Sequence, residues 1–418
     1  MKKIVLSIAG VMAAAAFAPE ASALPAFARQ TGMACTACHA QHFPVLNGFG
    51  RAFKAAGYTM MGAQGKVEGE HLSLPDTLNA AILAKVRYQK DNGASTKVLA
   101  TDPNGTANGQ LQFGDEFSLF FGGRVAENIG FLFEGNTVAA PLLAGFKMPI
   151  VFDMGGAKIG VTPFTTDALG VQYGFELSSG GVLRANRWAE HRRETSAIQY
   201  LANDGGAGLG AATGFALSAQ NDMGFINITK FAPAFGMGAN GGAVPSVDMK
   251  STYVRIAATP TVGDWAMVVG AGSMSGTSGN GATTVSAQTK ETFFDFQAQG
   301  EVGGKELGVY AQHASAPISA AGVLNAYNAA NIQTKKAYTI GADYSVIPNS
   351  LHIGAAYRNG NNGGAIGADG DNAVTLTAVY DLVQNVALHV NYSSYSGSSR
   401  NAVGSVKSLT TFMLEAAW

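Results

Sequence analysis

Charge is scarce in this sequence, and so are long apolar runs. Only 13% of its 418 residues are charged, about half of the ~25% found in an average soluble domain. Beyond the N-terminus, no apolar stretch approaches the roughly 20 residues that a transmembrane helix needs. The net charge is −1 and no basic face is visible, so nucleic acid is not an expected partner. This composition argues against an ordinary cytosolic domain.

Enzyme motifs are also absent. The sequence contains no Ser/His/Asp elbow, no phosphate-binding loop and no carboxylate pair at catalytic spacing, so we assign no catalytic residue.

The N-terminus carries an export signal. Lys2 and Lys3 precede an apolar run, and Ala21 and Ala23 form a small-x-small cleavage pattern. We therefore predict a signal peptide at residues 1–23 and a mature chain that begins at Leu24.

Cysteine occurs only twice, and both cysteines lie in the motif Cys35-Thr36-Ala37-Cys38-His39. A disulfide or a redox dithiol would each use two cysteines, but neither explains the adjacent histidine. Cys-x-x-Cys-His is the attachment signature of a c-type haem. The spacing places two thiols on one helical turn for thioether bonds, and it makes His39 the proximal ligand of the haem iron. We therefore predict one covalently attached haem.

The residues that follow are typical of a small cytochrome. Pro44 is predicted to open a helix whose apolar face contains Leu46, Phe49 and Phe53, and Gly57 to end it. We expect this face to lie on the haem. Arg51, and Lys54 on the same helix, are candidates for the haem propionates, or else solvated surface cations.

The sequence leaves several candidates for the distal ligand of the iron. Met60 and Met61 follow the predicted helix where the chain can cross the distal face, and His71 is the alternative. Met33 is a further candidate, whereas His42 is too close to His39 along the helix. The choice affects function, because a thioether ligand raises the haem potential relative to a second imidazole.

From about residue 76 the pattern changes to strands of period two. Tyr338, Ile340 and Tyr344 alternate with small or polar residues, and the final strand ends on an aromatic residue, Trp418. Short connections alternate with long ones rich in Gly, Ser and Asn, as in outer-membrane barrels with short periplasmic turns and long external loops. We predict an all-β transmembrane barrel of about 16 antiparallel strands. A soluble sandwich or solenoid is the alternative, but no repeat period supports a solenoid.

The predicted domains are thus a signal peptide (1–23), a small α-helical cytochrome domain (24–75) that plugs the lumen, and a porin-like barrel (76–418). His352 and His389 are predicted to face the lumen, either as polar lining or as metal ligands. The charged run from Arg184 to Glu194 is predicted to be a solvated loop or lumen lining.

The N-terminal residues resemble a known family. The matching positions are residues 24–33, 35–39, 43–44, 49–51, 53–54 and 57–59. They resemble the cytochrome domain of the fused outer-membrane cytochrome–porins that act as Fe(II) oxidases in iron-oxidising bacteria. The match in sequence covers about 35 residues. Over the rest of the chain the resemblance is limited to the barrel architecture. The resemblance carries Cys35, Cys38 and His39 over as haem attachment and proximal residues, but it ends before any distal ligand.

The resemblance implies an electron-transfer oxidoreductase that oxidises extracellular Fe(II) and passes the electron to a periplasmic c-type cytochrome. The other expected partners are outer-membrane lipid and the barrel-assembly machinery. Two alternatives remain: generic electron transfer with another donor or acceptor, and a solute porin with a structural haem. Outer-sphere oxidation of aqueous Fe(II) requires no built iron site, so we name no iron ligands.

Overall fold

The computed structural model describes residues 25–40, 45–62, 64–93, 106–137, 142–177, 188–202, 210–235, 248–279, 286–320 and 323–418. The predicted signal peptide, the mature start at Leu24, His42, Pro44 and the first part of the charged run lie outside these residues. No helix in the described part of the chain is long and apolar enough to cross a membrane.

The described residues form a closed antiparallel barrel. Its strands are β3 (Ala80–Asp91), β4 (Gln110–Ala126), β5 (Ile129–Asn136), β6 (Leu143–Lys147), β7 (Ile150–Asp153), β8 (Lys158–Thr166), β9 (Ala212–Asn221), β10 (Gly224–Ala232), β11 (Ser251–Ala258), β12 (Thr261–Val262), β13 (Trp265–Ser275), β16 (Glu291–Val302), β17 (Lys305–Ala316), β19 (Lys335–Ile347), β20 (Leu351–Asn361), β21 (Asn372–Val383), β22 (Val386–Ser396) and β23 (Ser408–Ala417). Three short strands, β14 (Thr277–Gly279), β15 (Ser286–Gln288) and β18 (Leu324–Asn325), form a separate sheet in two of the connections. The barrel closes where β23 pairs with β3.

In two places, a pair of short strands occupies the position of a single strand in the barrel. β6 and β7 both pair with β5 and β8, and they are separated only by Met148 and Pro149. β11 and β12 likewise both pair with β13. Counted in this way, the described residues contain sixteen barrel strands, which confirms the predicted number. Proline lacks the amide that a continuous ladder needs, which accounts for the break at Pro149.

The two faces of the wall differ as predicted. Tyr338, Ile340 and Phe294 point outward and are exposed, whereas Asp295 and Gln297 point inward and are buried. An apolar outer belt around a polar interior is what a membrane-spanning barrel requires. His352 and His389 face the lumen and are buried, which confirms their predicted side.

Connections alternate between short and long around the barrel. Seven turns of two to four residues join the strands at one end, and eight connections of six to 45 residues join them at the other. β3 begins and β23 ends at the short-turn end. The prediction of alternating connections is therefore confirmed.

Residues 25–40 and 45–62, which we write below as residues 25–62, lie inside the barrel close to its short-turn end. They contain helix α1 (Pro25–Thr31), a 3-10 turn (Cys35–Ala37) and helix α2 (Gly48–Ala55). The ring of Phe27 packs against Gly122, and Gly57 packs against Gly130 and Pro149 of the wall. Glycine at positions 122 and 130 permits this close approach, because a side chain there would overlap the N-terminal segment.

A small hairpin separates this segment from the barrel. Strands β1 (Lys66–Gly69) and β2 (Leu72–Pro75) pair with each other, and every residue of β1 is exposed. The predicted domain 24–75 therefore contains two different parts. Residues 25–62 fill the lumen, and residues 66–75 project from it.

Candidate functional site

The Cys-x-x-Cys-His motif forms one compact turn. The amides of Cys38 and His39 both donate hydrogen bonds to the carbonyl of Cys35, over 3.0 and 2.9 Å. The two cysteines are free thiols and are not joined by a disulfide. A single turn therefore carries both sulfurs and the imidazole, as haem attachment at Cys35, Cys38 and His39 would require.

The thiols do not resemble a redox dithiol. Burial raises the pKa of Cys35 to about 12, with a further contribution from Cys38, and burial also raises the pKa of Cys38. Both thiols are therefore protonated at neutral pH. Redox dithiols depend on a lowered thiol pKa, so this environment disfavours that interpretation of the motif.

The imidazole of His39 is oriented by the backbone. Its Nδ1 lies 3.2 Å from the carbonyl of Val45, and a β-bridge joins His39 to Leu46. With the proton on Nδ1, the lone pair lies on Nε2, the nitrogen that would bind an iron. Histidine ligands of metals usually have the other ring nitrogen fixed in this way.

Helix α2 rests directly on the motif. The side chain of Asn47 accepts a hydrogen bond from the amide of Gly50 and donates to the carbonyls of Thr36 and Ala37. Gly50 itself lies against the carbonyl of Cys38, where no Cβ would fit. The helix begins at Gly48 rather than near Pro44, so that prediction is wrong. The physical reason is the cap at Asn47, which starts the helix four residues later.

Arg51 and Phe53, both predicted to contact the haem, also have partners within the protein. The guanidinium of Arg51 donates to the carbonyl of Leu46 over 2.9 Å and to Gln299 of the wall over 2.6 Å. The ring of Phe53 packs edge-on against Phe27 and Tyr58. These two side chains thus hold the segment to itself and to the barrel. Burial lowers the pKa of Arg51 to about 10.

Lys54 is buried as well, and it does not lie on a solvated surface. Burial lowers its pKa to about 7, and the carboxylate of Glu176 opposes this shift. Phe49, in contrast, remains 37% exposed. Of the predicted apolar face, Phe49 is the residue that is still available to cover a bound group.

The distal candidates are placed differently from one another. Met60 is exposed, Met61 is partly buried, and the carbonyl of Met60 accepts a hydrogen bond from Gln30 over 2.7 Å. His71 lies at the turn of the β1–β2 hairpin with a side chain that is 92% exposed. Met60 or Met61 stays the predicted distal ligand, with His71 as the alternative.

The residues of this segment fit a c-type haem. The donor set is complete on the proximal side, with two thiols and an oriented imidazole. Met33, Phe49 and Met60 are large apolar side chains of the same segment that remain 36–39% exposed. Exposed apolar groups in a small segment indicate a surface that is covered in the working protein.

A second part of the chain fills the lumen, and the sequence did not predict it. We call residues 167–177 and 188–202, both from the connection between β8 and β9, the lumen segment. It contains a 3-10 turn (Val171–Gly174) and helices α3 (Arg192–Thr195) and α4 (Ala197–Ala202). Tyr173, Trp188 and Tyr200 are almost fully buried. A solvated loop is therefore wrong for the described end of the charged run, and lumen lining is correct.

The lumen segment reaches the motif. The indole of Trp188 stacks on Tyr310 of the wall with ring centroids 5.7 Å apart, and it belongs to one apolar cluster with Val45. Gly341 and Gly354 leave room for that indole on the inner wall. Trp188 therefore lies in the same apolar cluster as Val45, whose carbonyl orients His39.

Three polar groups anchor the lumen segment. Glu176 pairs with Arg255 over 2.9 Å, and Arg255 pairs with Asp295 over 2.7 Å. The other two anchors are the contacts of Glu190 with Lys85 and Arg87, and the contact of Glu194 with Arg358. Because these carboxylates are buried, each one requires its partner.

The histidines of the wall pair with carboxylates. His352 lies 3.5 Å from Asp343, and His389 lies 3.8 Å from Glu415. Within the described ranges no group of three His, Cys, Asp or Glu residues could hold a metal ion. Polar lining is the interpretation that this geometry supports.

One cleft opens at the short-turn end beside helix α2, with a volume of about 450 Å³. Arg51 and Ala55 line it from the N-terminal segment, and Asp153, Lys158 and Asp222 line it from the turns. Cys35, Cys38 and His39 are not among its lining residues, so the cleft is distinct from the motif.

No protein-family model and no curated protein matches the chain. Among solved structures, an anion-selective porin from Comamonas acidovorans is similar at 12% identity, with a TM-score of 0.49, 82% of this chain covered and 99% of the porin. OmpT of Vibrio cholerae is similar at 12% identity and a TM-score of 0.45, over 85% of this chain and 100% of OmpT. Salmonella typhi OmpF, in complex with daunomycin, is similar at 12% identity and a TM-score of 0.46, over 85% of this chain and 100% of OmpF. These values are too low to assign the chain to any of these porins.

Proposed function

We propose that this protein is an outer-membrane electron-transfer protein that oxidises extracellular Fe(II) through one c-type haem and passes the electron to a periplasmic cytochrome. The observation that carries the proposal is the ordered turn of Cys35, Cys38 and His39 inside a barrel whose outer belt is apolar. A haem held there would accept one electron from Fe(II) and release it to the next carrier. Met60 or Met61 is the proposed distal ligand.

The filled lumen supports electron transfer over solute transport. Residues 25–62 and the lumen segment both occupy the interior, and the wall side chains around them are buried. Electrons cross such an interior without a water-filled path, whereas sugars do not. Within the motif, Cys35 is buried and Cys38 and His39 are partly buried, and burial is one of the factors that set a haem potential.

The role of the chain's own residues is to position the group. Asn47 and Gly50 hold helix α2 on the motif, the carbonyl of Val45 orients the imidazole of His39, and Arg51 fixes the segment to Gln299 of the wall. Outer-sphere transfer needs such a fixed position more than it needs a substrate pocket.

A redox titration of the purified protein tests the proposal against generic outward electron transfer. A covalent haem with a midpoint potential high enough to accept electrons from Fe(II) at near-neutral pH supports Fe(II) oxidation. A low potential, together with prompt reduction by a periplasmic donor, would favour outward transfer to another acceptor.

A solute porin is the second candidate, because a long connection that folds into a sixteen-stranded barrel also suits a selective pore. The solved structures similar to this chain include a porin described as anion-selective. Liposome swelling in small sugars distinguishes the candidates. Swelling at the rate of an open porin would favour the solute porin, and its absence would favour the sealed electron-transfer protein.

A further inference from the structure

The two ends of the barrel carry opposite charge. At the short-turn end, eight carboxylates of the described residues are exposed, and we call them the acidic rim: Glu68, Glu70, Asp76, Glu127, Asp153, Asp222, Asp264 and Glu301. The exposed cations described at that end are Arg29 and Lys66. Arg124, Lys158 and Lys305 are only partly exposed there. The rim is therefore a negatively charged surface.

At the long-loop end, the exposed charges are mostly positive. Its exposed charges in the described ranges are six lysines against one carboxylate, Asp167. The lysines are Lys90, Lys230, Lys250, Lys290, Lys336 and Lys407. A protein with a net charge close to zero thus separates its exposed charges between its two ends.

The β1–β2 hairpin adds an apolar face to the acidic rim. Val67 pairs with Leu74 and Gly69 pairs with Leu72, so the three large side chains share one face. Val67, Leu72 and Leu74 are 53%, 45% and 52% exposed. The opposite face is polar, with Ser73 donating to Glu68 over 3.0 Å. A two-stranded hairpin is marginally stable alone, and this one presents an uncovered apolar face.

The hairpin is held at the end of the barrel nearest the motif. The side chain of Gln64 donates to Asn79 over 2.7 Å, and the amide of Asp76 donates to the carbonyl of Gly65 over 3.0 Å. Both contacts join the base of the hairpin to the chain as it enters β3. Residues 25–62 lie directly behind it, close to the same end.

We propose that the acidic rim and the apolar face of the hairpin form the docking site of a soluble electron carrier with a basic surface around an apolar redox edge. This inference rests on the proposed function, because it locates the periplasmic acceptor. Opposite potentials steer a carrier to its partner and raise the rate of encounter. Short turns of outer-membrane barrels face the periplasm, so a periplasmic carrier meets the short-turn end, where the motif lies.

A binding measurement with the full-length protein in nanodiscs tests the proposal. The probe is mitochondrial cytochrome c, a basic monohaem protein, and the control probe is the same protein with its lysines succinylated. We expect the basic probe to bind at low salt, to weaken at least about tenfold at 0.3 M salt because exposed charges are screened, and the succinylated probe not to bind. Equal binding of the two probes, or binding that salt does not change, would overturn the proposal.

Variants locate the site. Combining Glu68→Gln, Glu70→Gln and Asp76→Asn removes three rim charges and is expected to weaken binding about tenfold. Val67→Ser with Leu74→Ser is expected to weaken it several-fold at unchanged charge. Lys336→Gln with Lys407→Gln, the matched change at the other end, should leave the affinity unaltered. Wild-type affinity in both hairpin variants would refute the site.

Two controls separate this inference from its alternatives. Docking is measured as binding, so the basic probe should bind the wild type even if Fe(II) fails to reduce it; a wild type that Fe(II) reduces but that binds no probe would refute the docking site alone. A Leu74→Trp variant tests lipid as the occupant of the hairpin face. Fluorescence quenching by the basic probe supports docking, and quenching by brominated lipid instead would contradict it.

Discussion

Two segments fill the lumen, and different forces hold them there. Residues 25–62 meet the wall through glycines and aromatic rings, as at Phe27 on Gly122. The lumen segment also packs aromatic rings on the wall, as at Trp188 on Tyr310, but it adds buried ion pairs, as at Glu176 on Arg255. Close apolar packing fixes the position of the packed groups, whereas buried charges respond to loss of a partner. The comparison suggests a rigid site for chemistry beside a seal that can be released.

The largest expected effect comes from the motif itself. Cys35→Ala or Cys38→Ala removes a thioether site, and we expect loss of covalent haem and of every Fe(II)-dependent absorbance change. The barrel should still fold, because neither thiol contributes to the wall. Haem staining after denaturing electrophoresis measures attachment, and heat-modifiable mobility reports the barrel. Thr36→Ala, inside the same turn, is the control that should keep its haem.

The next effect breaks the seal. Arg255→Gln leaves the buried carboxylates of Glu176 and Asp295 without their cation, which costs about 3–5 kcal/mol for a buried pair. We expect the lumen segment to detach and ion conductance to rise in planar bilayers, while haem content stays normal. Lys230→Gln, an exposed charge on a neighbouring strand, is the matched control. An unchanged conductance would mean that the lumen segment does not seal the barrel.

A smaller effect tests the rigid site. Gly50→Ala places a methyl group against the carbonyl of Cys38, and overpacking of this kind costs about 1–3 kcal/mol. We expect a lower fraction of protein with covalent haem and a lower temperature for loss of the haem spectrum. Ala52→Ser, at an exposed position of the same helix, should change neither. Normal values for Gly50→Ala would show that α2 does not rest on the motif.

The smallest effect is a dependence on pH. Burial lowers the pKa of His191, whose nitrogens contact Ser393 over 2.6 Å and Thr411 over 2.8 Å. His191 therefore binds a proton more readily when the lumen segment is released than when it is docked. Docking is fully stable above pH 6.5, the ordinary pKa of a histidine, and it weakens as the pH falls below that value. Conductance should rise on acidification. His191→Gln keeps the polar contacts and should flatten this response; a response as steep as that of the wild type would exclude His191 as its origin.

The barrel was predictable from the sequence because its signal is local. Period-two patterning repeats within each strand, and it gave the strand number and the alternating connections. The motif was equally local, since Cys35, Cys38 and His39 lie on one turn. The start of α2 was misplaced because the cap at Asn47 competes with Pro44, and proline alone does not determine where a helix begins.

The lumen segment was not predictable in the same way. Trp188 is buried because Gly341 and Gly354 leave space on strands far along the chain, and Glu176 is stabilised by Arg255 on a strand after the connection. Neither partner is visible in the local pattern. The available signal was the apolar run Ile198, Tyr200 and Leu201 inside a 45-residue connection, an unusual composition for a solvated loop. The partners of Arg51 and Phe53 were missed for the same reason.

The central proposal is that this barrel carries one covalently attached haem and that this haem takes electrons from Fe(II). The most direct test mixes the oxidised, purified full-length protein with Fe(II) under anaerobic conditions at near-neutral pH in a stopped-flow spectrometer. We predict prompt appearance of the reduced haem spectrum in the wild type and none in Cys35→Ala. A protein that carries covalent haem and shows no spectral change with Fe(II) would contradict the account.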